Sequence, residues 1–170
     1  MSLILRPLTV SDRAQAVAGN RELELDDWGF LLSQFDEDEP WELYLARLER
    51  ERLGIDLPEG KVRATFLIAE VGTDLVGRTS IRHELNDFLF AVGGHIGYGV
   101  RPAFRRRGFA TEILRQSLVI TDDLGIQKVL ITCDDENIGS ATVIESQGGI
   151  LENKILDEDG TLKRRYWISR

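Results

Sequence analysis

The sequence predicts an α/β fold of the α+β kind, a mixed, largely antiparallel sheet of about seven strands flanked by helices. Three observations predict it. Short apolar runs with strand character open, centre and close the chain. Two pairs of these runs are separated by tight turn sequences, V-G-T-D after the fourth element and D-E-D-G near the end, which is hairpin grammar. Between the runs lie segments whose apolar residues recur every three or four positions, so helices interleave with the strands and cover the sheet. At 170 residues the whole chain, 1–170, is expected to be one domain with a core of its own.

Leu3 to Pro7 reads as a first strand. Thr9, Ser11 and Asp12 offer N-caps, and Ala14, Val17 and Ala18 begin a helix. Asp38 and Pro40 start a second helix, with Trp41, Tyr44, Leu45 and Leu48 on one stripe and Gly54 as its stop. Trp28, Trp41 and Tyr44 are expected in the core or in pocket walls. Ala64–Val71 and Leu75–Arg82 form the first hairpin, and a polar bend at Asn86 and Asp87 leads to a strand from His95 to Val100. The helix after Gly108 puts Phe109, Ile113, Ser117, Ile120 and Leu124 on one face and ends at Gly125. Lys128–Cys133 is a buried strand parallel to the one before the helix. Asn137 caps a short helix containing Ile138, Ala141 and Ile144, which stops at Gly148 and Gly149. Ile150–Leu156 and Leu162–Ile168 close the chain as the second hairpin.

Composition excludes several classes. No apolar run approaches the ~20 residues that span a bilayer. The N-terminal M-S-L-I-L-R-P-L is too short and too soon polar for a secretory signal, so a cytoplasmic location is expected. One cysteine, Cys133, excludes an internal disulfide and a multi-cysteine metal site, and no metal is expected. The net charge is −8, and the segment from Asn20 to Gly60 carries 13 acidic against 4 basic residues. A bulk-acidic protein with one short basic spot is a poor nucleic-acid binder. The acidic segment is either a solvated face or a lure for a cationic ligand.

The basic spot carries the chemistry. Gly97–Leu118 reads G-Y-G-V-R-P-A-F-R-R-R-G-F-A-T-E-I-L-R-Q-S-L, a strand, a loop with three consecutive arginines, a glycine and a helix. A helix N-terminus offers free N–H groups and partial positive charge, and small residues there let an anion approach closely. With Arg101 and Arg105–Arg107 beside it, the anion is a phosphate; the plain alternative is an arginine-rich surface loop before a capped helix. The segment is not a P-loop, because the chain has no Gly-Lys pair. It is not a dinucleotide fingerprint either, since Pro102 stands where the third glycine would fall.

The string V-x-P-x-x-R-x-x-G-x-A from Val100 to Ala110 resembles the acyl-CoA motif of the GNAT N-acetyltransferase superfamily, whose core is [QR]-x-x-G-x-[GA]. Downstream, Asn137-x-x-Ser140 with Val143 and Gly148-Gly149 is similar to the family's N-x-x-[AS] helix. The element order matches over nearly the whole chain. The resemblance implies a GNAT-like fold with splayed central strands, acetyl-CoA as co-substrate and an amine as acceptor, whether a small molecule or a protein amine. It implies that N–H groups from Arg106 to Thr111, in Gly108, Phe109 and Ala110 among others, hold the pyrophosphate, with Arg105, Arg106 and Arg107 adding charge. Tyr98, Gly99 and Val100 would pair with the pantetheine arm, an N–H near Val100 would polarise the thioester carbonyl, and Asn137 and Ser140 would lie beside the arm or the thiol. The resemblance is also the sole ground for expecting a homodimer.

An alkyl ammonium with a solution pKa near ~10 must lose a proton before it can attack a thioester. The residue types offer His95, Glu84 (beside His83) and Asp134 (beside Asp135) as catalytic candidates. Each has a second reading: a hydrogen-bonded strand-end histidine, or an acidic loop facing a helix N-terminus. Asn137 is also a plain N-cap, and Cys133 reads as a core thiol. The family's leaving-group tyrosine slot holds Ile144, so a non-catalytic acyl-CoA binding or sensing module stands as the alternative to an N-acetyltransferase.

Overall fold

A computed structural model describes residues 2–24 and 29–170. Trp28, expected in the core, lies outside the described residues. The elements follow the predicted order: β1 (Leu3–Arg6), α1 (Arg13–Glu24), α2 (Trp41–Leu53), β2 (Ala64–Val71), β3 (Asp74–Arg82), β4 (Ile96–Val100), α3 (Phe109–Asp123), β5 (Lys128–Asp134), α4 (Ile138–Ser146), β6 (Ile150–Leu156) and β7 (Leu162–Ser169). Three short elements were not foreseen: 3-10 turns at Val10–Asp12 and Pro102–Phe104, and a π-helical turn, Leu89–Gly93, between the polar bend and β4. The five residues of the π turn are too few to display a helical period, which is why the sequence reads as a bend.

The seven strands form two antiparallel sheets, ordered β1-β2-β3-β4 and β5-β7-β6. The sheet is open between β4 and β5, the splay that the resemblance implied. These strands meet only at their N-terminal ends, where the His95 N–H donates to the Leu130 carbonyl at 2.7 Å and the Leu130 N–H donates to His95 Nδ1 at 2.9 Å. Gly94 makes the approach: its φ is +69°, and a Cβ there would stand 2.7 Å from the Leu130 carbonyl oxygen. Beyond this joint the strands diverge toward Val100 and Asp134.

Strand alternation sorts the two faces. Val76, Thr79, Ile81, Ile96 and Tyr98 face α3, which buries Ile113, Leu114, Ser117, Leu118 and Thr121 against them. The buried stripe runs one residue off the predicted one at its end, and Leu124 is exposed. Each fully buried Leu or Ile on α3 contributes about 1.5–3 kcal/mol. The opposite face holds Phe66, Ile68 and Leu75 under α1 and α2, with Phe30, Trp41 and Tyr44 filling the layer. Trp41 and Tyr44 are therefore core, as expected.

Candidate active site

The loop after β4 has the geometry of an anion nest. Arg106 and Gly108 both adopt left-handed backbone, at φ +61° and +81°, so successive N–H groups turn toward one side. The first backbone bond of α3 runs from the Glu112 N–H to the Gly108 carbonyl at 3.2 Å. The N–H groups of Phe109, Ala110 and Thr111 precede that ladder and have no partner within it. Open space surrounds the position where a Gly108 Cβ would project. The residues present thus fit a pyrophosphate, with Arg105, Arg106 and Arg107 exposed around it. Arg107 lies over the rings of Phe104 and Phe109, and Arg105 Nε donates to the Val100 carbonyl at 3.1 Å. Arg101 does not join them. It turns back to pair with Glu22 of α1 at 2.6 Å and donates to the Leu75 carbonyl at 2.9 Å, which makes it a brace between β4 and α1.

The edge of β4 that faces β5 is the second part of the site. Arg101 N–H donates to the Val76 carbonyl and Arg82 N–H to the His95 carbonyl, so the odd-numbered residues of β4 bond toward β3. By the alternation of an antiparallel ladder, the N–H groups of Tyr98 and Val100 point the other way, into the splay. On the α3 side, the Tyr98 hydroxyl lies 2.9 Å from Ser140 Oγ, a contact that spans β4 and α4. Burial pushes the Tyr98 phenol up to about 12, so it holds its proton at neutral pH. Asn137 Oδ1 accepts from the Ser140 N–H at 3.0 Å, the N-cap expected of it. Cys133 is buried beside this pair, and its thiol is raised by burial, as befits a core thiol. Ile144 is fully buried in the core cluster under α3 and faces no cleft.

The three catalytic candidates fall apart in space. Asp134 is exposed at the C-terminal end of β5 and pairs with Lys163. Its neighbour Asp135 pairs with Lys154 and Arg164, both at 2.7 Å. Glu84 is exposed beyond the far end of β3, 3.7 Å from Arg63. His83 bonds Thr65 Oγ1 through Nε2 at 2.7 Å. His95 is buried in the joint between the sheets, with Nδ1 accepting from Leu130.

Burial, then the nearby Arg82 cation, pushes the His95 imidazole down to about 4 from 6.5. The folded state therefore prefers the neutral ring, and the unfolded chain binds the extra proton. Stability from this group is complete above pH 6.5 and is lost as pH falls through the folded value, on the order of 3 kcal/mol in all. In His95→Asn, which keeps an acceptor for Leu130 but does not titrate, thermal unfolding scanned from pH 7 to 4 is expected to show a flatter decline than wild type. Parallel declines would refute the joint as a titrating element.

The nest, the splayed strands and the capped α4 are the features that an acyl-CoA-type transferase site requires, and the comparisons give the family. A family model described as an acetyltransferase (GNAT) domain matches residues 2–150. The chain belongs to the GNAT acetyltransferase family. Among solved structures it is similar to Mycobacterium smegmatis RimJ in complex with CoA-disulfide, at 21% identity and a TM-score of 0.74, covering 98% of this chain and 81% of that one. It is similar also to Salmonella typhimurium yncA with its cofactor acetyl-CoA, at 13% identity, a TM-score of 0.66 and coverage of 99% and 94%. The microcin C7 self-immunity acetyltransferase MccE, in complex with acetyl-CoA and AMP, matches at 14% identity, a TM-score of 0.72 and coverage of 99% and 92%. No curated protein matches the sequence. Among the described residues no helix is long and apolar enough to cross a membrane, and no group of three or more His, Cys, Asp or Glu could hold a metal ion.

Proposed function

We propose that the protein transfers the acetyl group of acetyl-CoA to an amine by direct attack in a ternary complex. The observation that carries this reading is the left-handed nest at Arg106 and Gly108, placed where β4 leaves the splay. Backbone N–H groups from Arg106 to Thr111 hold the pyrophosphate, Arg105–Arg107 supply charge, and the outward edge of β4 from Tyr98 to Val100 pairs with the pantetheine arm. The amine lone pair attacks the thioester carbonyl carbon. The carbonyl oxygen takes up negative charge and is met by the outward N–H of Val100 or Tyr98. The C–S bond then breaks, the thiolate leaves with the electron pair, and the nitrogen gives up its proton. His95 does not take that proton: its Nδ1 already accepts from the Leu130 N–H, so the other nitrogen of the neutral ring carries a hydrogen, and the proton leaves to water.

The thiolate needs a proton, and Ile144 cannot supply one. The Tyr98–Ser140 pair can donate a hydrogen bond to the departing sulfur, because a phenol raised to about 12 keeps its proton, and the thiolate is then protonated by water. Tyr98→Phe and Ser140→Ala are each expected to lower kcat by ~10–100-fold with CoA affinity kept within about threefold. An unchanged kcat in both removes the pair from the chemistry. The function itself is tested by free-thiol release from acetyl-CoA across a panel of amines. Tight CoA binding with no release on any amine would favour the binding or sensing module instead.

A further inference from the structure

The face of the sheet opposite α3 is lined by cations next to the proposed reaction centre. Arg78 and Arg82 alternate on β3 and share that face with Gly99 and Gly97 of β4, their register partners or near neighbours. Both guanidinium groups converge over Gly97: a Cβ there would stand 3.1 Å from Arg82 Nη1 and 3.7 Å from Arg78 Nη1. The missing side chain at Gly97 lets the guanidinium groups lie against the strand, three residues and about 10 Å before Val100. Arg78 is almost fully buried and braces the layer, donating to the Gly97 carbonyl at 3.1 Å and the Gly29 carbonyl at 2.8 Å. Arg82 differs. It is half-buried, and its acceptor among the described residues is the Gly93 carbonyl at 3.5 Å, with no carboxylate in ion-pair range. Burial and the neighbouring Arg82 charge lower Arg78 to about 9, and burial lowers Arg82 as well, the signature of two cations held close in a poorly solvated place.

Nearby carboxylates are committed elsewhere. Glu152 pairs with Arg165 at 2.5 Å and Glu84 faces Arg63. Within the acidic segment, Glu22 pairs with Arg101, Glu37 with Arg21, Glu39 with Arg47, Glu49 with Arg52 and Asp56 with Arg50. A buried cation without a counter-charge is costly, and an incoming oxyanion supplies the missing partner.

We propose, building on the acetyl-transfer reading, that the acceptor amine also carries an oxyanion, a carboxylate, and that Arg82 holds it over Gly97 while the amine faces the thioester. The acceptor class is then amino-acid-like amines rather than simple polyamines. Matched pairs test this on the wild-type protein: an amino acid against the amine left when its carboxylate is removed, with the aminophosphonate as a third arm, each read by thiol release. The expected kcat/KM is at least tenfold higher for the anionic member, and the better of carboxylate and phosphonate identifies the oxyanion. Arg82→Gln is expected to raise KM for the anionic acceptor about tenfold and to shrink the preference, with CoA affinity kept, and Arg82→Lys to restore part of it. Should Arg82→Gln fail to fold, competitive inhibition of the wild type by the amine-free carboxylate decides the point. Equal or better turnover of the decarboxylated amines overturns the inference and leaves acetyl transfer standing. Absence of thiol release with every member overturns both.

Discussion

Gly108→Val is expected to reduce coenzyme A affinity by two orders of magnitude or more. The residue stands at φ +81°, where a β-branched side chain is strained by about 1–2 kcal/mol. Relief of that strain rotates the peptide groups on either side and turns the nest away from its anion. Each charge-assisted N–H···phosphate bond is worth about 1.5–3 kcal/mol, so the loss of two accounts for a factor of about 10² or more. Gly160 in the β6–β7 turn has nearly the same backbone, φ +78° with open space around it, and lies outside the clamp. Gly160→Val should cost similar stability and leave CoA binding alone. Titration calorimetry on the two variants separates strain from recognition, and undiminished affinity in Gly108→Val refutes the clamp.

The second large effect is on the joint between the sheets. In Gly94→Val the new Cβ would stand 2.7 Å from the Leu130 carbonyl oxygen and 3.3 Å from the Ile131 Cα, at φ +69°. Both neighbours are backbone, so the strand itself must move. The expected loss is about 3–5 kcal/mol, from the left-handed strain and from the His95–Leu130 hydrogen bonds that the displacement breaks. For a chain of this length that corresponds to a fall in Tm of roughly 6–20 °C. Thermal unfolding at pH 7 measures it, and an unshifted Tm would mean that the sheets are not held together there.

Much of the fold was legible because its signals are local. Alternating or continuous apolar runs, V-G-T-D and D-E-D-G turns and the caps at Asn137 and Gly54 each depend on a few adjacent residues. The π-helical turn at Leu89–Gly93 was not legible, and the splay between β4 and β5 was legible only through the family resemblance. A π turn has no period long enough to see, and strand pairing is decided by partners far away in sequence.

The candidate site divides the same way. Gly108, the arginines and the small residues of α3 announce an anion because a nest is a local backbone device. Arg101 looked the same as its neighbours in sequence, and only its contact with Glu22 removes it from the clamp. Arg78 and Arg82 were unremarked because an arginine in a strand has no motif. Their meaning arises from burial on one face beside Gly97. Tyr98 and Ser140 were each singled out by resemblance, but as separate contacts. Their hydrogen bond joins β4 to α4 across 42 positions of sequence.

By itself, then, the sequence determined the order of the elements, the left-handed glycine loop that suits a pyrophosphate and the family to which the chain belongs. Short-range backbone geometry carries all three. The tertiary structure alone decided that His95 is built into the joint between the sheets and that Arg78 and Arg82 converge over Gly97. Those outcomes depend on which distant groups are desolvated together, and burial is a property of the packed chain rather than of any stretch of it.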